Sequence, residues 1–414
     1  MTMRSPTKDA LAQNLPPLTP GTTRIVLVRH GRSTANDQQR YQGSSDEAVL
    51  TDQGWQQASL IGELLRNIPI DVVYSSPLRR ARQTVEGLFA ALQPATNRLD
   101  TAPAAVGVGA LPSSTAVAVA PPRPAKIPQH IHPALREIHL PAWEGRLYRE
   151  VRAQEAEAYR CWIQRPHEFQ MASGGGVSYP VLDLYRHAQL FWREVLPRHQ
   201  GQTLLVVGHG GTNHALISTA LGLSPAQHHR LQQSHGGVSV LDYTHATGTA
   251  QLQLLNVTRH LGESLPKLKA GKQGVRVVLL PLAASQSLAL VERACRRLDD
   301  STIAYGLIQA CSTTGNITQL MAQYLRHHRP DILQFPIQGD FSTRWCAALK
   351  QMKQAAGLTT ALAIAPPATI HRLATTAIGL PIPGGLLNLM SGHLSLLHYP
   401  TGDHPPILQA TNLD

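Results

Sequence analysis

The sequence predicts an α/β protein with a mostly parallel central sheet, built from a unit that occurs twice in the chain. Short apolar runs bounded by turn residues, such as residues 25–28 and 203–208, are typical of buried strands. Segments with apolar residues at helical spacing, such as residues 51–67, alternate with these runs, as they do in α/β folds. An internal repeat relates the second part of the chain to the first and therefore predicts a duplicated unit.

The first predicted strand, residues 25–28, runs directly into Arg29 and His30. Open α/β sheets bind their ligands at the carboxyl ends of strands, so both side chains are expected at a ligand site. A neutral imidazole nitrogen can attack phosphorus, and a planar guanidinium matches the oxygens of a phosphate. The pair is therefore a candidate for phosphoryl-transfer chemistry.

The next elements alternate between helix and strand. Residues 51–67 are predicted as a helix that begins with capping residues, and residues 71–75 as a second buried strand. Pro77 is tolerated in the first turn of the helix that follows. Arg79 is then expected near a helix N-terminus, where backbone N–H groups and the helix dipole favour a bound anion.

Residues 93–128 differ from their surroundings, because they are rich in Ala, Pro, Val, Gly and Ser and carry almost no charge. We expect an irregular insertion there. Helices are predicted over 148–162 and 182–196, with a glycine-rich loop at 173–179 between them. We expect the insertion and this loop to carry residues that contact a leaving group.

The last elements of the first unit begin with a second histidine at a strand end. His209 directly follows a predicted strand and caps a helix over 213–221. Strands at 238–243 and 252–257 then complete the unit. Because His209 and His30 both follow buried strands, we expect them at the same edge of the sheet.

The internal repeat lies at a constant offset, since residues 361–380 repeat residues 204–223 at a distance of 157 positions. Within it, Pro366 stands where the first copy has His209. Two further pairs of segments correspond: residues 276–282 with 24–30, and residues 394–399 with 238–243.

The second copy lacks the reactive groups of the first. Residues 281–282 are Pro-Leu where residues 29–30 are Arg-His, and proline also removes a backbone donor. We therefore predict a catalytic domain over residues 23–261, a linker near 262–274, and a shortened, degenerate and non-catalytic copy over residues 274–414.

Composition and charge exclude several classes of protein. Of the 414 residues, 43% are hydrophobic, which predicts a packed core and not a disordered chain. The formal net charge is +11, but the sequence contains no run of five basic residues and no basic–aromatic interleaving. We therefore predict no nucleic-acid partner and a general attraction for anionic substrates.

The sequence also predicts a compartment. The four cysteines show no C-x-x-C spacing, which fits a reducing environment better than a disulfide framework. No apolar run approaches the length of a membrane span, and residues 1–22 lack the apolar core of a signal peptide. We expect a cytoplasmic protein that binds no membrane, with residues 1–22 as a flexible leader.

The sequence around Arg29 and His30 resembles the signature of the histidine phosphatase superfamily, which includes the cofactor-dependent phosphoglycerate mutases. Further blocks follow in the order that the family requires, and the resemblance covers about residues 23–260. It implies a three-layer phosphoglycerate mutase-like fold. The matching blocks are 32–36 (Arg-Ser-Thr-Ala-Asn), 50–54 (Leu-Thr-Asp-Gln-Gly), 75–84 (Ser-Ser-Pro-Leu-Arg-Arg-Ala-Arg-Gln-Thr), 135–139 (Leu-Arg-Glu-Ile-His), 143–145 (Trp-Glu-Gly) and 206–211 (Val-Val-Gly-His-Gly-Gly).

The resemblance implies a role for each matching residue. His30 would attack phosphorus and become phosphohistidine. Arg29 and Arg79 would hold the nonbridging oxygens, and a protonated His209 would stabilise the charge that develops on them. Glu137 would donate a proton to the leaving alkoxide and then take one from the attacking water.

Two further residues would complete the phosphate site. The side chain of Asn36 and the backbone at Gly210 are expected to donate hydrogen bonds to the phosphate. No metal and no other cofactor is expected, because the arginines and the imidazolium supply the positive charge. The remaining histidines show no metal-ligand spacing with carboxylates.

The sequence does not settle the roles of four further residues. Glu144 lies close to Glu137 in the chain and competes with it for the acid role. Val177 stands where the family often has the glutamate of a Gly-Glu-Ser segment, so one polar contact to the phosphate is in doubt. His139 and His235 are the two other histidines expected as walls of the pocket.

The leading interpretation is a metal-independent phosphatase that acts on a small phosphorylated metabolite, such as a sugar phosphate or a sugar-acid phosphate. A catalytic half followed by a degenerate half is similar to the two-domain phosphatases of photosynthetic organisms related to 2-carboxy-D-arabinitol 1-phosphate phosphatase. Phosphoglycerate mutase and phosphoserine phosphatase remain alternatives. A regulatory or binding pseudo-enzyme is an alternative of another class, and the sequence leaves a homodimer open.

Overall fold

All strands except one short hairpin join a single twelve-stranded sheet in the computed structural model, which describes residues 10–92, 127–174, 176–283, 302–309, 315–337, 339–355, 357–381, 385–402 and 404–413, and four residues between 289 and 296. The strands are β1 (Thr22–Arg29), β2 (Val72–Ser75), β3 (Gln129–Ile131), β4 (Met171–Ser173), β5 (Gly176–Ser178), β6 (Thr203–Gly208), β7 (Val238–Thr244), β8 (Thr249–Val257), β9 (Gly274–Pro281), β10 (Tyr305–Gln309), β11 (Leu333–Ile337), β12 (Leu358–Ala365), β13 (Leu394–Tyr399) and β14 (Ile407–Leu413). The α-helices are α1 (Ala10–Gln13), α2 (Thr34–Asp37), α3 (Asp52–Leu65), α4 (Arg79–Leu92), α5 (Tyr148–Gln154), α6 (Ala156–Gln164), α7 (Pro180–Val195), α8 (Gly210–Ala220), α9 (Gly315–His328), α10 (Phe341–Met352) and α11 (Pro367–Ile378).

The order of the strands shows that the chain contains the same unit twice. From one edge inwards the order is β3-β2-β6-β1-β7-β8, and from the other edge it is β11-β10-β12-β9-β13-β14. In each unit the first four strands are parallel and the last two run antiparallel to their neighbours. Strands β8 and β14 pair with each other, so the two units share one sheet. The duplicated α/β fold predicted from the sequence is confirmed.

The register of the strands confirms which residues correspond. In the first unit, Arg29 at the end of β1 lies opposite Gly208 at the end of β6. In the second unit, Pro281 at the end of β9 lies opposite Ala365 at the end of β12. Leu282 and Pro366 follow these two strands, so the second copy has neither of the histidines that follow the strands of the first.

Helices cover both faces of the sheet. Successive side chains of a strand point to opposite sides, so apolar residues on both sides of β1 need a layer of helices to bury them. In β1, Leu27 packs in one apolar cluster with Phe191 of α7 and Leu216 of α8. Its neighbour Val28 packs on the other face in a cluster that contains Ile61 of α3. These two layers of helices around one sheet confirm the predicted three-layer arrangement.

The N-terminal segment departs from the predicted flexible leader over residues 1–22. Leu11 and Leu15 are buried and pack with Ile61 and Leu65 of α3. Two leucines four positions apart present one apolar side from a helical turn, and burying that side stabilises the segment. The prediction is therefore wrong from Ala10 onward, and residues 1–9 lie outside the described residues.

Two other expectations concern the insertion and the membrane. Most of the predicted insertion, residues 93–126, lies outside the described residues, and the chain re-enters the sheet at β3. None of the helices within the described ranges has both the length and the apolar character needed to cross a membrane.

Candidate active site

A cavity of about 770 Å³ opens where β1 and β6 end. These strands are parallel neighbours, so residues that follow them meet at one edge of the sheet although they lie far apart in the chain. Five residues singled out from the sequence line the cavity: Arg29, His30, Asn36, Glu137 and Gly210.

His30 is held in the tautomer that a nucleophile needs. Its side chain is 2% exposed, and Nδ1 lies 2.7 Å from the carbonyl oxygen of Gly31. A carbonyl can only accept, so we assign the proton to Nδ1, which leaves a lone pair on Nε2. Burial, followed by the charges of Arg80 and Arg29, lowers the pKa of His30 well below the ordinary value of 6.5. The ring is therefore neutral at neutral pH.

His209 packs directly against His30. The two ring centroids are 5.1 Å apart with the planes at 61°, and Nε2 of His209 lies 2.6 Å from Oγ of Ser76. Its buried Nδ1 has no hydrogen-bond partner among the described residues. Burial, then the charge of Arg80 and the neighbouring His30, lowers the pKa of His209 well below 6.5. The imidazolium expected from the sequence therefore needs the charge of a bound phosphate to form.

Arg29 is fixed from behind by the loop that precedes β7. Its Nη1 donates to the carbonyl of Gln233 at 2.7 Å, and its Nη2 lies 2.9 Å from Nε2 of His235. A guanidinium only donates, so the His235 ring accepts and is neutral. His235, which was expected in the wall of the pocket, thus contacts Arg29. His139, the other expected wall residue, is exposed and lies beside Ser44.

The arginine of α4 that reaches the cavity is Arg80 and not Arg79. Arg79 is exposed and is absent from the described lining of the cavity. Arg80 is fully buried and donates to the carbonyls of Ser45 at 2.8 Å and Gly43 at 2.9 Å. Burial lowers its pKa to about 10, so the guanidinium keeps its charge at neutral pH. Neighbouring residues on a helix point about 100° apart, and Arg80 therefore replaces Arg79 as the candidate phosphate ligand.

Glu137 lies at the N-terminus of α8. Its Oε2 accepts from the backbone N–H of Gly211 at 3.0 Å, and its Oε1 accepts from that of Thr212 at 3.0 Å. A Cβ on Gly211 would lie 2.6 Å from Oε1, so a glycine is required for this approach. Glu144, the competing acid, accepts instead from the backbone of Ser44 and is not among the described residues that line the cavity.

Asn36 and Gly210 supply the two other donors expected from the sequence. Oδ1 of Asn36 accepts from the backbone and the hydroxyl of Ser33, so its amide NH₂ is the group available to a ligand. Gly210 is the first residue of α8, and the first backbone N–H groups of a helix have no partner within it. Val177 is 62% exposed on β5 and is not among the described residues that line the cavity.

Comparison with known sequences identifies the family. The profile described as "Histidine phosphatase superfamily (branch 1)" matches residues 25–102 and 113–258, which is more than half of the chain. This chain belongs to the histidine phosphatase superfamily. Both matched segments lie in the first unit, on either side of residues 103–112 in the predicted insertion. The match confirms the resemblance drawn from the motifs.

Three curated relatives illustrate what the chain is similar to. It is 34% identical over 222 residues to a probable 2-carboxy-D-arabinitol-1-phosphatase of Arabidopsis thaliana, covering 54% of this chain and 38% of the relative. It is 33% identical over 288 residues to a 2-carboxy-D-arabinitol-1-phosphatase of Triticum aestivum, covering 69% of this chain and 50% of the relative. It is 27% identical over 240 residues to phosphoserine phosphatase 1 of Hydrogenobacter thermophilus, covering 58% of this chain and 95% of the relative. The chain therefore spans half or less of the length of the two plant relatives.

Basic side chains outnumber acidic ones among the described residues that line the cavity. Among the described residues that line it, Glu137 is the one carboxylate. In the part of the chain that the structure describes, no three His, Cys, Asp or Glu side chains are grouped to hold a metal ion. Five basic side chains line the wall: Arg29, Arg80, Arg152, Arg160 and Lys269.

A second group of histidines lines the cavity, although sequence reasoning assigned them no role. The ring of His228 lies 5.4 Å from that of His214 and 5.0 Å from that of His229. Burial is the main cause that lowers the pKa of each of these three well below 6.5. Their positions along the chain form no motif, so the folded structure alone brings them together.

Proposed function

We propose that this chain is a metal-independent phosphomonoesterase that hydrolyses a small phosphorylated metabolite through a phosphohistidine intermediate. The observation that carries the proposal is the hydrogen bond from Nδ1 of His30 to the carbonyl of Gly31. It leaves the Nε2 lone pair available at a cavity whose wall includes Arg29 and Arg80. A neutral nucleophile beside two guanidinium groups is the arrangement that attack on a phosphate dianion requires.

The first half of the reaction transfers the phosphoryl group to the protein. Nε2 of His30 forms a bond to phosphorus while the bond to the leaving oxygen breaks. Arg29 and Arg80 hold the nonbridging oxygens, and His209 takes up a proton from solvent as the phosphate dianion binds beside it. Protonated Glu137 gives its proton to the departing alkoxide, an acid–base contribution of about 10²–10⁴-fold in rate.

The second half returns the protein to its starting state. The Glu137 carboxylate takes a proton from a water molecule, whose oxygen attacks phosphorus. The P–N bond breaks, the electron pair returns to Nε2 of His30, inorganic phosphate leaves, and His209 returns its proton to solvent. The arginines and the imidazolium supply the charge stabilisation that a metal ion supplies in other phosphatases.

The substrate we propose is a sugar phosphate or a sugar-acid phosphate, with 2-carboxy-D-arabinitol 1-phosphate as one candidate. Two plant relatives carry the name of a phosphatase for that compound. A cavity of about 770 Å³ lies in the ordinary range for small-molecule sites and has room for an organic leaving group. Phosphoserine is a second candidate, because the relative named phosphoserine phosphatase 1 matches over 95% of its own length.

Phosphate release from a panel of substrates tests the proposal. The panel contains sugar phosphates, phosphoglycerates, phosphoserine and 4-nitrophenyl phosphate, each assayed in excess EDTA. We expect release by the full chain, an acid-labile phosphoprotein on rapid quenching, and neither with His30→Ala. The matched control is His139→Ala, since His139 is exposed and lies outside the cavity.

Each of the other outcomes would contradict one part of the proposed function. Activity lost in EDTA and restored by Mg²⁺ would contradict metal independence. Activity retained in His30→Ala would contradict the phosphohistidine intermediate. Phosphoryl transfer to a second phosphoglycerate instead of water would identify a mutase, and binding of phosphorylated compounds without release would identify a regulatory pseudo-enzyme.

A further inference from the structure

The degenerate second unit and its connection contribute directly to the cavity of the first unit. Lys269 and Gly271 belong to the segment that joins the two units, and both line the cavity. Thr401 and His404, from the connection between β13 and β14, line it as well. The site of the first unit is therefore incomplete without residues that lie beyond the predicted catalytic domain.

Lys269 and Arg29 donate hydrogen bonds to the same backbone carbonyl. Nζ of Lys269 donates to the carbonyl oxygen of Gln233 at 2.9 Å, and Nη1 of Arg29 donates to the same oxygen at 2.7 Å. Lys269 is exposed and lines the cavity, so its side chain is accessible to a ligand. Two cations that share one acceptor repel each other, and a bound anion relieves that repulsion.

The carboxylates near Lys269 are already engaged. The negative charge of Glu263 attracts the Lys269 ammonium, but Oε1 of Glu263 lies 3.2 Å from Nζ of Lys267. Glu137 accepts from the backbone N–H groups at the start of α8. Partial desolvation of the ammonium, followed by the charge of Arg29, accordingly lowers the pKa of Lys269 well below its ordinary value. Four arginines line the same cavity, and Glu137 is the one carboxylate among its described lining residues, so an anion beside Lys269 would meet a positive wall and would favour the charged form of the ammonium.

We propose that Lys269 is a specificity-determining residue that binds a second anionic group of the substrate, a carboxylate or a second phosphate carried on the same carbon chain as the reacting phosphate. This inference rests on the proposed phosphatase function and narrows its substrate class. Arg29 holds the reacting phosphate, and Lys269, beyond the shared carbonyl of Gln233, meets the group next to it. The joining segment therefore selects the substrate, and the first unit supplies the chemistry.

Matched substrate pairs test the proposal in the full chain. Glycerol 3-phosphate and 3-phosphoglycerate differ by a carboxylate, and a pentulose 5-phosphate and its 1,5-bisphosphate differ by a phosphate. We expect the wild type to prefer at least one doubly anionic member. We expect Lys269→Gln to raise KM for that member by about 10- to 100-fold, as for the loss of a charged hydrogen bond, and to change kcat/KM for its partner less than about 3-fold. The two pairs distinguish a carboxylate from a second phosphate.

Two further variants separate binding from structure. Lys269→Arg keeps the charge and should retain most of the preference. Lys272→Gln removes an exposed lysine of the same segment that is not among the described residues lining the cavity, and it should leave all four substrates unaffected. Equal losses on both members of each pair in Lys269→Gln would show that Lys269 holds the reacting phosphate or the Gln233 loop. That result, or no loss at all, would overturn the proposal.

A binding measurement keeps this test apart from the test of the proposed function. Calorimetric titration of the same substrate pairs into His30→Ala, and into His30→Ala with Lys269→Gln, needs no turnover. A preference for the doubly anionic member that depends on Lys269 would support the inference even if the wild type released no phosphate. Equal affinities within both pairs would overturn it even if the wild type hydrolysed 4-nitrophenyl phosphate.

Discussion

Asn256 and Asn412 make the same hydrogen bond from opposite sides of the junction between the two units. Nδ2 of Asn256 donates to the carbonyl of Gln409 at 2.8 Å, and Nδ2 of Asn412 donates to the carbonyl of Gln253 at 2.8 Å. Both asparagines are buried and have φ of 53°, in the left-handed region that asparagine tolerates better than most residues. The junction therefore has the reciprocal contacts of a two-fold dimer interface within one chain.

Replacement of either asparagine by glycine should destabilise the protein to a similar extent. Glycine keeps the left-handed backbone but leaves buried carbonyl and amide groups without partners. We expect Asn256→Gly and Asn412→Gly each to lower the free energy of unfolding by roughly 2–3 kcal/mol, measured by denaturant titration. A loss confined to one of them would contradict a symmetric junction.

The two variants should differ in activity. Oδ1 of Asn256 accepts from the backbone of Ser234, next to the carbonyl of Gln233 that holds Arg29, whereas Oδ1 of Asn412 accepts from the backbone of Met390 in the second unit. We expect Asn256→Gly to lower kcat/KM about tenfold or more, because a small misplacement of a positioned group is costly. Asn412→Gly, assayed at a temperature where both variants are folded, should keep most of its activity. Equal activities would show that Asn256 does not position the Arg29 loop.

Substitution of the two neighbouring arginines of α4 tests which one binds phosphate. Arg80→Lys keeps the charge but loses the fork that contacts both the protein and a phosphate, so kcat/KM should fall by about 10²-fold or more. Arg79→Lys should change it less than about 2-fold, because Arg79 is exposed. Steady-state kinetics on 4-nitrophenyl phosphate check both. A larger loss in the Arg79 variant would restore the assignment made from sequence.

Glu137→Gln should harm poor leaving groups most. A general acid matters in proportion to the basicity of the departing oxygen, so sugar phosphates should lose about 10²–10⁴-fold in kcat/KM. 4-Nitrophenyl phosphate, with a much less basic leaving group, should lose far less. Glu144→Gln is the control and should affect neither, because Glu144 contacts Ser44 outside the described wall of the cavity. Equal losses on both substrates would move the acid role away from Glu137.

The buried histidines of the cavity should make the fold sensitive to mild acid. Burial lowers the pKa of His214, His228 and His229 well below 6.5, so below that pH the unfolded chain binds protons that the folded chain does not. The free energy of unfolding should therefore fall as pH drops from about 7.5 to 5.5. Each histidine contributes up to about 1.4 kcal/mol per pH unit below 6.5, until its folded pKa is reached.

Denaturant titrations at several pH values measure this dependence. His228→Gln should flatten the slope, because it removes one of the depressed groups. His187→Gln should leave the slope unchanged, since His187 is exposed on α7. A free energy of unfolding that rises toward pH 5.5 would contradict the buried neutral state of these rings.

The parts of the site that follow buried strands were accessible from the sequence. His30 and His209 come directly after apolar runs, and parallel strands place such ends together. The choice between Arg79 and Arg80 depended on the helix face. Ala81, Thr84 and Leu88 are buried, and Arg80 lies four positions before Thr84 on the same face. That periodicity was present in the sequence and would have indicated Arg80.

Other parts of the site depend on how the two units pack, and no local pattern carries that information. Lys269 lies in a segment that the sequence predicts only as a linker. His404 follows a strand of the second unit, in a connection whose length and composition do not identify what it covers. The pairing of β14 with β8 brings the second unit beside the first, a tertiary relationship that hydrophobic periodicity does not encode.

Removal of the second unit should expose the edge of β8 and alter both the stability and the site. In the full chain, β14 covers this nine-residue strand, and the side chain of Thr411 accepts from the backbone of Leu255. A long apolar edge strand without its partner tends to pair with another copy. We expect a fragment ending at residue 273 to self-associate through β8, or to be less soluble and less heat-resistant than the full chain, as light scattering and thermal unfolding would show.

Such a fragment also lacks Thr401 and His404 from its cavity, so its selectivity between substrates should differ even where it stays folded. The isolated residues 274–414 should release no phosphate, because Pro281 and Leu282 stand where the first unit has Arg29 and His30, and Pro366 stands where it has His209. A monomeric, fully active and equally stable fragment would show instead that the first unit needs neither the pairing of β14 with β8 nor the cavity residues of the second unit.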